Sequence, residues 1–414
     1  MIPRLPHPDS TLPLLRDPYR FISRMARRCQ ADLFATRLLL QPAICMTGPA
    51  ALQLFYDGER FQRAGAMPGP IQKTLLGVGG VQSLDDAAHR QRKHLLMSFM
   101  TPERIERLVA LTGERWISCA AVWARVDSVD LYTASQELLT RALAEWIGLP
   151  LPDDEVRRRT RDLAALFDGA GAIGPRHFRA RRARQRSERW LSALVERQRT
   201  GAAGAGADTP LARIAGHREP DGDQLEPRVA AVEILNLIRP AVAISVYIVF
   251  IAHALATRPE WQDRLRQAAA PDIEAFVHEV RRFYPFFPSL AAVTRSAFAW
   301  QGYDFPAGRR VILDLYGTNH DARLWNRPDE FDPERFLGRA VGAFELVPQG
   351  GGDHHAHHRC AGEWATIALM KQAAVFLAKR LAYDVPAQDL RLDLSRLPAL
   401  PRAGLQIANV RLLP

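Results

Sequence analysis

The stretch "PQGGGDHHAHHRCAGEWATIALMKQAAVFLAKRL", residues 348–381, delivers one cysteine, Cys360, from a glycine-rich loop to the start of a helical run. The loop offers backbone N–H donors and the helix its positive end, and both should lower the thiol pKa and stabilise a thiolate. A thiolate so placed is a good axial ligand for haem iron. A buried, inert cysteine is the competing reading, and this stretch alone does not choose between them. The histidines His354, His355, His357 and His358 invite a metal site, but adjacent side chains on a loop diverge, and a solvated cluster suits them better.

Upstream, "EVRRFYPFFP" (279–288) sets Glu279 and Arg282 three residues apart on a helix, hence on one face and able to pair. Arg335, in "DEFDPERF" (329–336), could close a buried Glu–Arg–Arg network that pins this irregular segment beneath the cysteine loop. Farther back, "EILNLIRPAVAIS" (233–245) places Arg239 beside Pro240 in one of the most apolar parts of the chain. An unpartnered buried guanidinium costs several kcal/mol, so an anion must meet it. Glu233 is six residues earlier on a different helical face and makes a poor partner, which leaves a cross-helix acid or a ligand. Pro240 lacks an N–H and kinks the helix, leaving the Asn236 carbonyl without its usual donor and opening a gap of the kind that borders ligand sites.

With 47% hydrophobic and 24% charged residues over 414, the chain is an ordinary globular protein with ample core. The net charge of +10 would attract nucleic acid, anionic lipid surfaces or acidic ligands without selecting among them. Four cysteines without CxxC or zinc spacing point to a reducing compartment, so a cytoplasmic location is expected. The N-terminus has prolines and charges where an export signal needs an apolar run. Residues 229–256 are the best membrane candidate, but Glu233, Arg239 and Pro240 interrupt them, and a buried core helix without transmembrane anchor is expected. Short strands are expected within 1–80, helices from about 85 to 198 and again to 282, a mixed region next, and a helix over 361–381. The fold class is mainly α with a minor β portion, in a single domain spanning 1–414. The run "RHFRARRARQRSERW" (176–190) reads as a solvated helix face, since no interleaved aromatics suggest a nucleic-acid module.

Taken together, Glu279-x-x-Arg282, "PERF" (333–336) and the glycine-rich loop ending in Cys360-x-Gly362 resemble the cytochrome P450 superfamily. The resemblance implies the cytochrome P450 fold, haem b (iron protoporphyrin IX) on Cys360, and a structural lock of Glu279, Arg282 and Arg335. Two departures are informative: Asp353 and His358 stand where the family has Phe and Arg, and Arg239-Pro240 replaces the acid–alcohol pair of the distal helix. Guanidinium and proline cannot deliver protons as that pair does.

Both departures match the hydrogen-peroxide-using fatty-acid hydroxylases, and the similarity extends over nearly the whole chain, through "GAMPGPIQKTLLGVGGVQSLD" (65–85) and "LNLIRPAVAISVY" (235–247). It is closest to the α-hydroxylating member. This implies a long-chain fatty acid and hydrogen peroxide as substrates, with no fused reductase and no dedicated redox partner. Arg239 would bind the substrate carboxylate with Pro240 beside it, and the carboxylate would act as general acid–base. Gln82 would face the distal pocket, and Leu76, Gly79 and Phe286 would shape it. His89, and Arg92 or Lys93, would meet the haem propionates, against the alternative of a solvated basic face. A β-hydroxylase or decarboxylase of the same branch and an oxygen-dependent monooxygenase with a reductase are the rival activities. A basic nucleic-acid-binding or scaffold protein is the rival class.

Overall fold

The helical periodicity expected from residue 85 onward resolves, in the computed structural model, into helices Asp86–Met97, Pro102–Trp123, Leu131–Ile147, Asp153–Asp168 and Pro175–Arg199. The structure describes every residue except 203, 205, 220 and 414. Thr101, followed by Pro102, accepts the Arg104 N–H, and Asp130 accepts those of Tyr132 and Thr133, so side chains meet orphan donors at both helix starts.

The apolar stretch of the distal wall forms Pro227–Val242 and Ile244–Thr257, separated only at Ala243. By length and composition the pair could cross a membrane, yet its most apolar window is 89% buried inside the protein, as a core helix should be. Pro240 lies inside the first helix, and the interruption falls three residues later, bridged by a 3.1 Å bond from Val246 N–H to the Ala243 carbonyl. Pro102–Trp123, Leu131–Ile147, the paired core helices, Ala270–Phe283 and Glu363–Val375 share one extended apolar cluster.

The strands come from both ends of the chain. Leu33–Leu38, Gln41–Met46, Arg310–Asp314, Ser289–Thr294 and Phe61–Gln62 lie side by side in that order, with Gln41–Met46 parallel to Arg310–Asp314 and the other pairs antiparallel. The helix expected over 361–381 is shorter, Glu363–Val375, and runs through a wide turn, Phe376–Arg380, into strand Leu381–Asp384.

Glu279 and Arg282 are fully buried and joined by two bonds of 2.7 Å, and Arg335 Nε lies 3.2 Å from Glu279 Oε2. Arg282 also donates to the carbonyls of Asn319, Pro328 and Glu330, and the Asp332 N–H donates to Glu279. A segment with almost no regular hydrogen bonding is thereby tied to the helix in front of the cysteine loop. The basic run of Pro175–Arg199 is solvated only in part. Arg184 is buried, pairs with Glu188 at 2.6 Å and reaches the carbonyls of Leu75 and Leu76, which corrects the reading of that face as wholly solvent-exposed.

Candidate functional site

The loop before Cys360 needs its glycines. Gly350 and Gly352 have φ of +91° and +82°, and a Cβ on Gly350 would come within 2.7 Å of the Tyr56 hydroxyl, which accepts the Gly351 N–H. The loop closes through a 3.0 Å bond from the Cys360 N–H to the Gln349 carbonyl. Cys360 is deep in the protein yet keeps some accessible surface. Burial is the largest influence on its thiol and pushes the pKa up, with Glu363 in the same direction. Lys93, the Gly362 N–H and Gln349 pull it down but do not prevail. The expected lowering by loop and helix end is therefore overruled by desolvation. A metal cation at the sulfur would reverse the balance, since a coordinating thiol is deprotonated outright.

Arg239 is buried and has no carboxylate within ion-pair distance among the described residues; its Nη1 donates to the Leu75 carbonyl. Burial and then Arg184 pull its pKa down to about 9, while Cys360 pulls it up, so the cation and the sulfur lie within each other's field. A guanidinium keeps its proton at neutral pH, and the depression registers a missing counter-anion. The Leu75 carbonyl belongs to the wide turn Gln72–Leu76, which ends at Gly77 (φ +89°); a Cβ there would strike Arg184. Arg184 and Arg239 thus converge on the carbonyl end of one turn.

Glu233 explains itself differently from Arg239. It is completely buried, binds Arg92 at 2.7 Å, and accepts the Val81 N–H and the Asn236 side-chain amide, both at 2.9 Å. That acid fixes the loop carrying Gln82, whose Oε1 is buried without a protein partner, as is the Asn236 Oδ1. Ser245 Oγ, just past the helix interruption, is likewise unpartnered. Leu76 is half-buried against the main core, and Phe286 packs on Tyr247 with ring centres 4.4 Å apart.

At the loop's edge the expected basic residues separate. His89 stacks on His358 at 3.8 Å, and His358 in turn lies 3.7 Å from Asp85; burial draws His89 down to about 3 and His358 to about 4, keeping both neutral. Lys93 donates to the Arg359 carbonyl, and burial lowers it to about 8. Arg92 is paired with both Glu233 and Glu219, so its charge is already met and it has little to offer a propionate. Arg63, which no local pattern singles out, lies against the Phe55 ring at 4.1 Å with no carboxylate ion pair among the described residues, and burial lowers it to about 10.

The other histidines disperse: His354 donates to Glu363 at 3.1 Å, His355 leans toward Trp364, and His357 Nδ1 accepts the Asp353 N–H. No group of metal-ligating side chains occurs among the described residues. The site thus offers the Cys360 sulfur, Arg63 and Lys93 near the loop's edge, an Arg239 guanidinium bonded to a carbonyl, and unpartnered Gln82 and Ser245 atoms. These residues fit haem: a soft axial donor, cations for acidic side arms, and apolar walls. Arg184 was legible in principle, because Glu188 follows it by four residues; Arg63 and Gln349 carry no local signal.

Residues 243–381 match the family model of cytochrome P450. Among curated proteins, cytochrome P450 26A1 of Gallus gallus is 23% identical over 91% of this chain and 82% of its own. Cytochrome P450 71A8 of Mentha piperita is 29% identical, but there the chain spans only 26% of that relative's length. Solved structures match end to end. Cytochrome P450SP alpha (CYP152B1) in complex with (R)-ibuprofen is 50% identical, covering 98% of this chain and 99% of that one, with a TM-score of 0.96. Cytochrome P450EX alpha (CYP152N1) with myristic acid is 40% identical over the full length of both chains, TM-score 0.96. A phenylalanine-to-alanine variant of cytochrome P450 OleT in complex with arachidonic acid is 33% identical over 100% of this chain and 99% of that one, TM-score 0.96.

Proposed function

The chain belongs to the cytochrome P450 superfamily, in its CYP152 group, and from that premise we propose that it hydroxylates long-chain fatty acids with hydrogen peroxide, at the α carbon. The observation that carries this is Arg239: a buried guanidinium without a carboxylate, beside a proline, within the field of Cys360. Haem b held by Cys360, with Lys93, His89 and Arg63 toward its propionates, supplies the oxidising chemistry once bound. The protein's own part is to bind, orient and supply a proton path.

Arg239 has five N–H donors, and the Leu75 carbonyl engages Nη1, so the other nitrogen atoms remain for a fatty-acid carboxylate. Held there, that carboxylate takes a proton from hydrogen peroxide and returns it to the oxygen that leaves as water, general acid–base catalysis supplied by the substrate. No side chain near Pro240 need do so. Anchoring the headgroup also keeps only the first carbons close to the oxidant, which favours α over distal positions. Gln82, Leu76 and Phe286 set the remaining wall.

Incubating the holoprotein with tetradecanoic acid and hydrogen peroxide, with products identified by mass spectrometry, should yield 2-hydroxytetradecanoic acid. Turnover only with NADPH and a reductase would overturn the peroxide reading. Predominant 3-hydroxy acid or terminal alkene would overturn the α assignment alone.

A further inference from the structure

Two buried guanidiniums meet at one carbonyl. The Leu75 oxygen accepts from Arg239 Nη1 and also from Arg184 Nη1 at 3.2 Å, and Arg184 Nη2 reaches the Leu76 oxygen at 3.4 Å. Arg184 is 1% exposed and Arg239 6%, so water screens neither charge. Gly77 makes the approach possible: its φ is +89°, and a Cβ there would strike the Arg184 guanidinium and Val232. Arg181, on the same helix as Arg184, donates to the Lys73 carbonyl at the other end of this turn. Among the described residues one acid pairs with the cluster. Glu188 faces Arg184 Nε at 2.6 Å and is shared with the more exposed Arg228 at 3.1 Å. The positive charges of Arg184, Arg228 and Arg239 thus stand against a single carboxylate.

Holding two carbonyls does not by itself call for that charge, since a neutral side-chain amide also donates. A second buried cation is repelled by the first, and the repulsion is relieved when an anion enters. We propose that Arg184 is a positioning and specificity-determining residue: fixed on the Leu75 and Leu76 carbonyls, it holds the turn against Arg239 and adds a second positive charge to the field that selects an acid over a neutral lipid. The inference rests on the reading of Arg239 as the carboxylate anchor and deepens it, by placing part of the headgroup selectivity on a different helix, Pro175–Arg199. Arg184 acts through Arg239 and the turn, its charge carried across low-dielectric interior. Because that field acts on the bound acid both before and during reaction, losing it should raise KM by far more than it lowers kcat. Loss of Arg239, which removes the anchor itself, should do the reverse.

The test measures equilibrium dialysis of radiolabelled tetradecanoic acid and of its methyl ester against purified holoproteins at neutral pH. Arg184→Gln should weaken acid binding about tenfold and ester binding less than about twofold, and Arg184→Lys, which keeps the charge, should recover most of the acid affinity. A purely structural role predicts something else: acid and ester would weaken together, and lysine would rescue neither. That outcome overturns the proposal, as does an acid affinity unchanged in Arg184→Gln. Should Arg184→Gln alone not fold, Arg184→Gln/Glu188→Gln leaves no buried acid without its partner. It should show the same selective loss at about threefold, and equal effects on acid and ester, or none on either, overturn the proposal there too. Arg239→Ala is measured alongside. If it leaves acid binding unchanged, the carboxylate-anchor reading itself falls, a result separate from an Arg184 variant that loses no selectivity while Arg239→Ala does.

Discussion

Arg239 and Arg92 are both buried arginines on or against the same helix, and their surroundings separate their roles. Arg92 is met by Glu233 and Glu219; Arg239 is met by a carbonyl. Losing the Arg239 guanidinium should therefore affect chemistry rather than folding: Arg239→Ala should lower fatty-acid turnover by about two to four powers of ten while haem content and the CO spectrum persist. Losing the Glu233 carboxylate should do the reverse in emphasis. Glu233→Ala leaves Arg92 with one half-exposed partner and the Val81 N–H with none, and should destabilise the protein by about 3 kcal/mol in urea unfolding at 25 °C. Sequence spacing correctly separated Glu233 from Arg239, because six residues along a helix turn the side chains apart. It could not assign Glu233 to Arg92, a contact across 141 residues.

At the scale of elements, the motif residues were legible because their chemistry is local: Glu279 and Arg282 share a helix face, and Pro333 opens a short turn that presents Arg335. What escaped was where burial overrides local chemistry. Cys360 lies in a donor-rich loop, yet desolvation dominates its thiol. Strand Arg310–Asp314 gives a second case. Asp314 caps the turn after it by accepting the Gly317 N–H at 2.7 Å, but burial pushes its pKa from 3.8 up to about 7. The folded state thus binds this proton more tightly than the unfolded chain, so the associated stability is complete below pH 3.8 and lost as pH rises through about 7. Asp314→Asn should flatten the pH dependence of the urea midpoint between those values, leaving a smaller slope than wild type.

Across the whole molecule, hydrophobic periodicity and turn residues revealed a helical body with a β margin, whereas the sheet joining residues 33–62 to 289–314 depends on pairings no local pattern encodes. The groups that act on the Cys360 sulfur come from segments as far apart as Lys93 and Arg239, so a ligand binding across them should brace the fold. Chelation-free extraction of haem should lower the thermal midpoint by several degrees, and stoichiometric haem should restore it, as binding to the native state alone requires. Differential scanning calorimetry measures both.

The lone carbonyl beside Arg239 has an outcome beyond this protein's surface. An unmet cation welcomes a carboxylate, but a methyl ester or a thioester arrives neutral at that end and leaves the guanidinium as unsatisfied as before, with no base to carry a proton. Methyl tetradecanoate should consequently give no product under conditions that convert the free acid. Cellular lipid held in glycerides or acyl carriers would be invisible to such a catalyst until a hydrolase had released it, making hydrolysis the reaction class that must come first.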